Sequence, residues 1–324
     1  MRATGKHFGL AALVALLVVF PLFGPNGYIY DIAIRILLNA IVVIGLNLLF
    51  GYTGQISLGH AAFFGIGAYA SAIFTTRFGW PPIAALATGA VATGVLALVI
   101  ARPILKLTGH HLAMATLSLG LIATIVFTNE ARWTGGSDGM TVPPFTMWGF
   151  TLSSEPQWYA LAATLLVLAT WAAINLVDSP AGRALQAIRG SEVAARVAGI
   201  DAASFKTRVF VLSAVLTSVV GSVSAHYVAF LAPAAVGLGR SIEFFMMVVI
   251  GGMASIYGSI VGAALMTVLP QFLQSFEGWE TLVFGVILTA VMIFMRNGIV
   301  PTLYERINAR SKATRTYPSP DVSA

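Results

Sequence analysis

Residues 31–50 read DIAIRILLNAIVVIGLNLLF, and residues 36–50 of that stretch carry no charge. About 20 apolar residues in a helix cross the hydrocarbon core of a bilayer. A run this apolar has no polar face to turn toward water, so it belongs in lipid or inside a bundle. Similar runs lie on both sides of it, at 8–23, 56–76, 81–101, 110–128, 158–177, 207–229, 242–257, 259–275 and 281–295. They explain a chain of 324 residues that is 58% hydrophobic and 9% charged, where soluble proteins carry about 25% charged residues. The sequence therefore predicts an all-α fold: a polytopic transmembrane helical bundle of about ten spans. The first run follows Arg2 and Lys6 in the manner of a signal peptide. Pro21, Pro25 and Gly27 come after it with no small-residue cleavage site, so it is expected to stay as the first helix. Runs eight and nine are short and parted only by Gly258, which leaves open two full helices or a re-entrant pair.

Charge gives the orientation. With the N-terminus inside, the inner segments hold Arg2, Lys6, Arg102, Lys106, Arg183, Arg189, Arg196, Lys206, Arg208, Arg296, Arg306, Arg310, Lys312 and Arg315, which is 14 of the 18 Lys and Arg. The outer segments hold Arg77, Arg132 and Arg240, while Arg35 lies within the second run near its outer end. Basic residues concentrate on the cytoplasmic side, so both termini are expected there. Residues 1–307 are read as one transmembrane domain with a cytoplasmic loop at 177–206, and 308–324 as a disordered cytoplasmic tail. The net charge of +6 then reflects loops beside an anionic lipid surface, not nucleic acid. Zero cysteines exclude disulfides, Cys-ligated zinc, Fe–S clusters and a thiol nucleophile.

The most unusual stretch is GYTGQISLGHAAFFGIGAY, residues 51–69. Gly51 and Gly54 weaken a continuing helix, and irregular backbone at membrane depth is tolerated only beside protein or water. Asn47, Gln55, Ser57 and His60 bring polar groups to the same region, which reads either as the wall of a translocation pathway or as close helix packing. Small residues at Ser213, Thr217, Gly221, Ala225 and Ala229, and at Gly258 and Gly262, form flat ridges for packing. His60, His110, His111 and His226 have no metal-ligand spacing, so no metal site is expected. His60 and His226 are expected to bond neighbouring helices. No P-loop, HExxH, GxSxG or nucleotide fingerprint is present, so the chain is read as a transport subunit with no catalytic residues and no bound cofactor. Its energy must come from a gradient or from another protein.

The cytoplasmic loop contains a second informative piece, Arg189-Gly-Ser191-Glu192-Val193-Ala194-Ala195-Arg196-Val197-Ala-Gly199. Ser191 caps a short helix to Ala198 and Gly199 ends it. Val193 and Val197 give it a small apolar face, and Glu192 pairs with Arg196 at i, i+4. Such a helix suits a groove on a soluble partner or rests on the membrane interface.

Residues 51–69, the stretch GHHLAMATL at 109–117, the loop TGGSDG at 134–139 and the segment 183–201 together resemble the M-type (LivM-like) permease subunit of branched-chain amino acid ABC importers. The resemblance runs from about residue 30 to 300, in order. It implies an inner-membrane location, a second homologous permease, two cytoplasmic ATPases that use the ATP, and an external substrate-binding protein. It also implies that Glu192, Ala194, Ala195 and Gly199 match the Glu-Ala-Ala-x3-Gly coupling motif, with Val193 inserted after the glutamate. A branched-chain zwitterion needs hydrogen-bonding partners and apolar walls as it sheds water, so Asn47, Gln55, Ser57, His60 and Thr116 are the expected pathway residues. Relatives of this kind also carry urea, short amides or aromatic acids. An ion-coupled secondary transporter is the other class, and it would need more intramembrane charge than Arg35 and Glu243 supply.

Overall fold

The computed structural model describes residues 3–107, 109–147 and 149–273, with isolated positions between 282 and 302. The tenth expected run is described only in fragments, and the tail at 308–324 lies outside the described residues. The helices are α1 (Ala3–Val19), α2 (Gly27–Thr53), α3 (His60–Phe78), α4 (Pro82–Ile104), α5 (His110–Asn129), α6 (Ala131–Thr134), α7 (Glu155–Asp178), α8 (Pro180–Gly190), α9 (Glu192–Val197), α10 (Ala202–Val228), α11 (Leu238–Gly251) and α12 (Ile256–Leu273). Two small antiparallel pairs fill the loops: β1 (Met140–Thr141) with β4 (Phe230–Leu231), and β2 (Thr146–Met147) with β3 (Phe150–Thr151). The first nine expected runs each overlap chiefly one helix, the eighth falling on α11 with 14 residues. Among the described residues, 7 helices are long and apolar enough to cross a membrane.

The apolar run at 31–50, in α2, is the core. Ile34, Val42, Val43 and Leu46 are fully buried, and the helix packs against α7, α10, α11 and α12. Its all-round apolarity suits a helix with protein on every side. The helix α3 is not among the seven, because it carries His60, Ser71, Thr75 and Arg77. It nevertheless lies inside the bundle, enclosed chiefly by α10 and α4. A helix shielded from lipid need not be apolar.

The close approach of α3 to α10 depends on missing side chains. A Cβ on Gly67 would overlap the Ser218 carbonyl, and one on Gly221 would overlap that of Phe64. The small-residue ridge of α10 is thus the seam that receives α3.

Two boundaries differ from the sequence reading. Gly51 stays within α2, and the helix ends only at Gly54, whose φ of 74° supplies the left-handed cap. The turn between runs eight and nine falls at residues 252–255 and not at Gly258, which packs against Gly251 inside the α11–α12 hairpin.

Candidate functional site

Between α2 and α3 the chain runs without regular structure from Gly54 to Gly59. Polar groups in and beside it are met from neighbouring helices. His60 Nδ1 lies 2.9 Å from Ser57 Oγ, and Nε2 lies 2.7 Å from Ser213 Oγ on α10. The ring sits edge-on to Phe63 and Phe210. The Leu58 N–H donates to Thr116 Oγ1 of α5 at 3.0 Å, and the Ala61 N–H donates to Ser241 Oγ of α11 at 3.1 Å. Three helices, α5, α10 and α11, therefore hold the break and the start of α3 in place. Gln55 is the exception: only 4% of it is exposed, and neither of its amide atoms has a partner among the described residues. A buried amide left unpaired costs free energy unless water or a ligand meets it.

Of the five expected pathway residues, Ser57, His60 and Thr116 gather at this break. Asn47 does not, although the sequence reading placed it in the same region. It clamps the α11–α12 turn, donating to the carbonyl of Ser255 at 2.9 Å and to Ser259 Oγ at 2.8 Å. It also accepts from the Ala254 N–H at 2.9 Å. No group of His, Asp and Glu able to hold a metal occurs among the described residues.

Sequence reasoning missed a second polar centre. The chain returns after α10 through β4 and a 3-10 turn at Pro233–Val236, so α11 starts well down the bundle. There Arg240 Nη2 donates to Asn39 Oδ1 at 2.7 Å, and Nη1 donates to Glu243 Oε2 at 2.8 Å. Asn39 is 12 residues beyond Gly27, about 18 Å along α2. Arg240, expected in an outer loop, thus reaches the middle of the bundle, and its guanidinium lies 4.7 Å over the Phe244 ring. One turn nearer the start of α2, Arg35 Nε donates to Asp31 at 2.8 Å. Asp31 also accepts from the Tyr227 hydroxyl at 2.6 Å. A cavity of about 410 Å³ opens among α2, α10, α11 and α12 with Arg35, Asn39, Arg240 and Glu243 in its wall. The signal for it was present in the Arg240–Glu243 spacing, but the depth of α11 was not.

At the opposite end, α8 and α9 form a compact unit in the loop between α7 and α10. Ser191 Oγ accepts the Ala194 N–H at 3.2 Å, Arg196 bonds Glu192 at 2.6 Å, and Gly199 has φ 83°. Ala195 faces inward onto Ile188 and Ala202, while Val193 and Val197 are 70% and 85% exposed. Arg189, in the last turn of α8, lies beside Gly54. Lys206, which the loop reading did not single out, reaches Glu192 at 2.5 Å from the base of α10. Burial pushes the Glu192 carboxyl up, but the hydrogen bonds and charges of Lys206 and Arg196 outweigh it and hold the pKa below the usual 4.5.

Residues 28–296 match the family described as the permease component of branched-chain amino acid transport systems. The chain belongs to that family. It is 30% identical to the high-affinity branched-chain amino acid transport system permease protein LivM of Escherichia coli K12, over 94% of this chain and 77% of LivM. It is 28% identical to the LivM of Salmonella typhimurium LT2, over 93% of this chain and 76% of the relative. The ribose import permease protein RbsC of E. coli K12 is 26% identical, over 82% of this chain and 84% of its own length. No solved structure matches the chain. This family member is a multi-pass permease of the inner membrane, not an enzyme, as the resemblance implied.

Proposed function

We propose that this permease is one transmembrane half of an ABC importer that carries branched-chain amino acids into the cytoplasm. The substrate follows the LivM relatives, which match nearly the whole chain. Two cytoplasmic ATPases supply the ATP hydrolysis, a binding protein delivers the amino acid from outside, and a second homologous permease completes the pore. The chain has about ten spans with both termini in the cytoplasm, in line with its charge asymmetry. Gln55, Ser57, His60 and Thr116 serve the pathway, with Gln55 as the one whose amide is free to meet a passing solute, and Asn47 serves it from the side by holding the α11–α12 turn.

One observation carries the coupling role. The α9 helix presents Val193 and Val197 to solvent from a base fixed by Ser191, Glu192, Lys206 and Ala195. Two exposed valines on a rigid six-residue helix outside the bilayer make a knob for a groove on a soluble protein. Arg189, Glu192 and Arg196 set its orientation, and Gly199 lets the chain turn away sharply. Co-expression with the two ATPases and the second permease tests the reading. A complex that hydrolyses ATP faster when the loaded binding protein is added supports it, and failure of the ATPases to co-purify contradicts it.

A further inference from the structure

The cavity among α2, α10, α11 and α12 lies apart from the broken segment at 54–59 and is lined by opposite charges. Glu243 has 51% of its side chain exposed, and Arg35 has 50%. Charges half-exposed at the depth of spanning helices do not face lipid; they face water, a solute or protein. Both groups retain hydrogen-bonding capacity. A carboxylate offers about four acceptor sites, and the bond to Arg240 uses one of those on Glu243. The terminal amines of Arg35 make no bond among the described residues, since its link to Asp31 runs through Nε. Leu38, Met247 and Met266 supply apolar wall in the same cavity. Methionines are unbranched and polarizable, so they adapt to aliphatic groups of different shape. The volume of about 410 Å³ is in the range that holds a small ligand.

We infer that this cavity is a transient station for the amino acid zwitterion. Glu243 takes the ammonium, Arg35 takes the carboxylate, and the Leu38–Met247–Met266 wall takes the branched side chain. Arg240 is a positioning residue. Its bonds to Asn39 and Glu243 and its place over Phe244 fix the carboxylate in the cavity wall. The assignment rests on the functional reading above and adds where in the chain the head group is held.

A diazirine-bearing leucine analogue, delivered by the binding protein to the assembled complex in proteoliposomes, tests it. On illumination the label is expected on cavity-wall peptides from α2, α10, α11 or α12. In Glu243→Gln that labelling and leucine uptake are expected to fall at least tenfold, with the complex still co-purifying. Ser224→Phe, which fills the cavity from α10 without touching a charge, is expected to do the same. Label confined to other helices, or unchanged labelling and uptake in both variants, overturns the inference. So does a Glu243→Gln chain that no longer binds the second permease, because the cavity is then a subunit interface. A wild-type complex that imports no leucine overturns the functional reading instead.

Discussion

Lys206 Nζ lies 2.5 Å from Glu192 Oε2, joining the second turn of α10 to the first turn of α9. The lysine is buried and the glutamate partly so, and this pair ties α9 to the base of α10. Further along α10, Ser213 holds His60 and Gly221 seats α3. A force applied to α9 therefore acts directly on the helix that grips the broken segment. Lys206→Met removes the cation and leaves Glu192 without its stronger tether. ATP hydrolysis in that variant should lose most of its stimulation by loaded binding protein, while the chain still inserts. Full stimulation would show that the tether is dispensable.

The same pair fixes a pH dependence. Glu192 has a folded pKa below 4.5, so its contribution is fully present above that value and is lost as the pH falls through the lower one. Hydrogen exchange of the α9 amides should stay constant from about pH 8 to 5 after correction for intrinsic rates, and protection should drop only once the pH has fallen below 4.5. Loosening of α9 between pH 8 and 5 would contradict the assignment.

Val193→Asp with Val197→Asp should abolish ATPase association. Burying each valine is worth roughly 1.5–3 kcal/mol, and an unpaired carboxylate in a groove adds a further cost. The affinity should therefore fall by at least about a hundredfold. Co-purification at wild-type yield would remove α9 as the coupling element.

Gln55→Met separates pathway from packing. The amide has no partner to lose among the described residues, so thermal stability in detergent should be unchanged or raised. Leucine uptake should fall if that amide meets the solute. Unchanged uptake with raised stability would place Gln55 in packing alone.

The helices were legible because their apolar runs are set by bilayer thickness, a constraint that needs no tertiary information. The cap at Ser191, the stop at Gly199 and the Glu192–Arg196 pair were legible because they are local. What could not be read was long-range. Asn47 clamps residues more than 200 positions away in the chain, and nothing near it in sequence indicates this. Arg240 looked like an outer-loop cation because the re-entry at 229–237 carries only a weak signal in Pro233 and Gly237. The helix α3 reads as an ordinary span, yet it depends on α10 for cover.

Leucine uptake into proteoliposomes holding this permease, its second permease and the two ATPases, with binding protein outside and ATP supplied to the ATPase side, tests the central claim most directly. The account requires accumulation that depends on ATP and disappears when the ATPases are omitted. Accumulation by this chain alone, driven by an ion gradient without ATP, would contradict it.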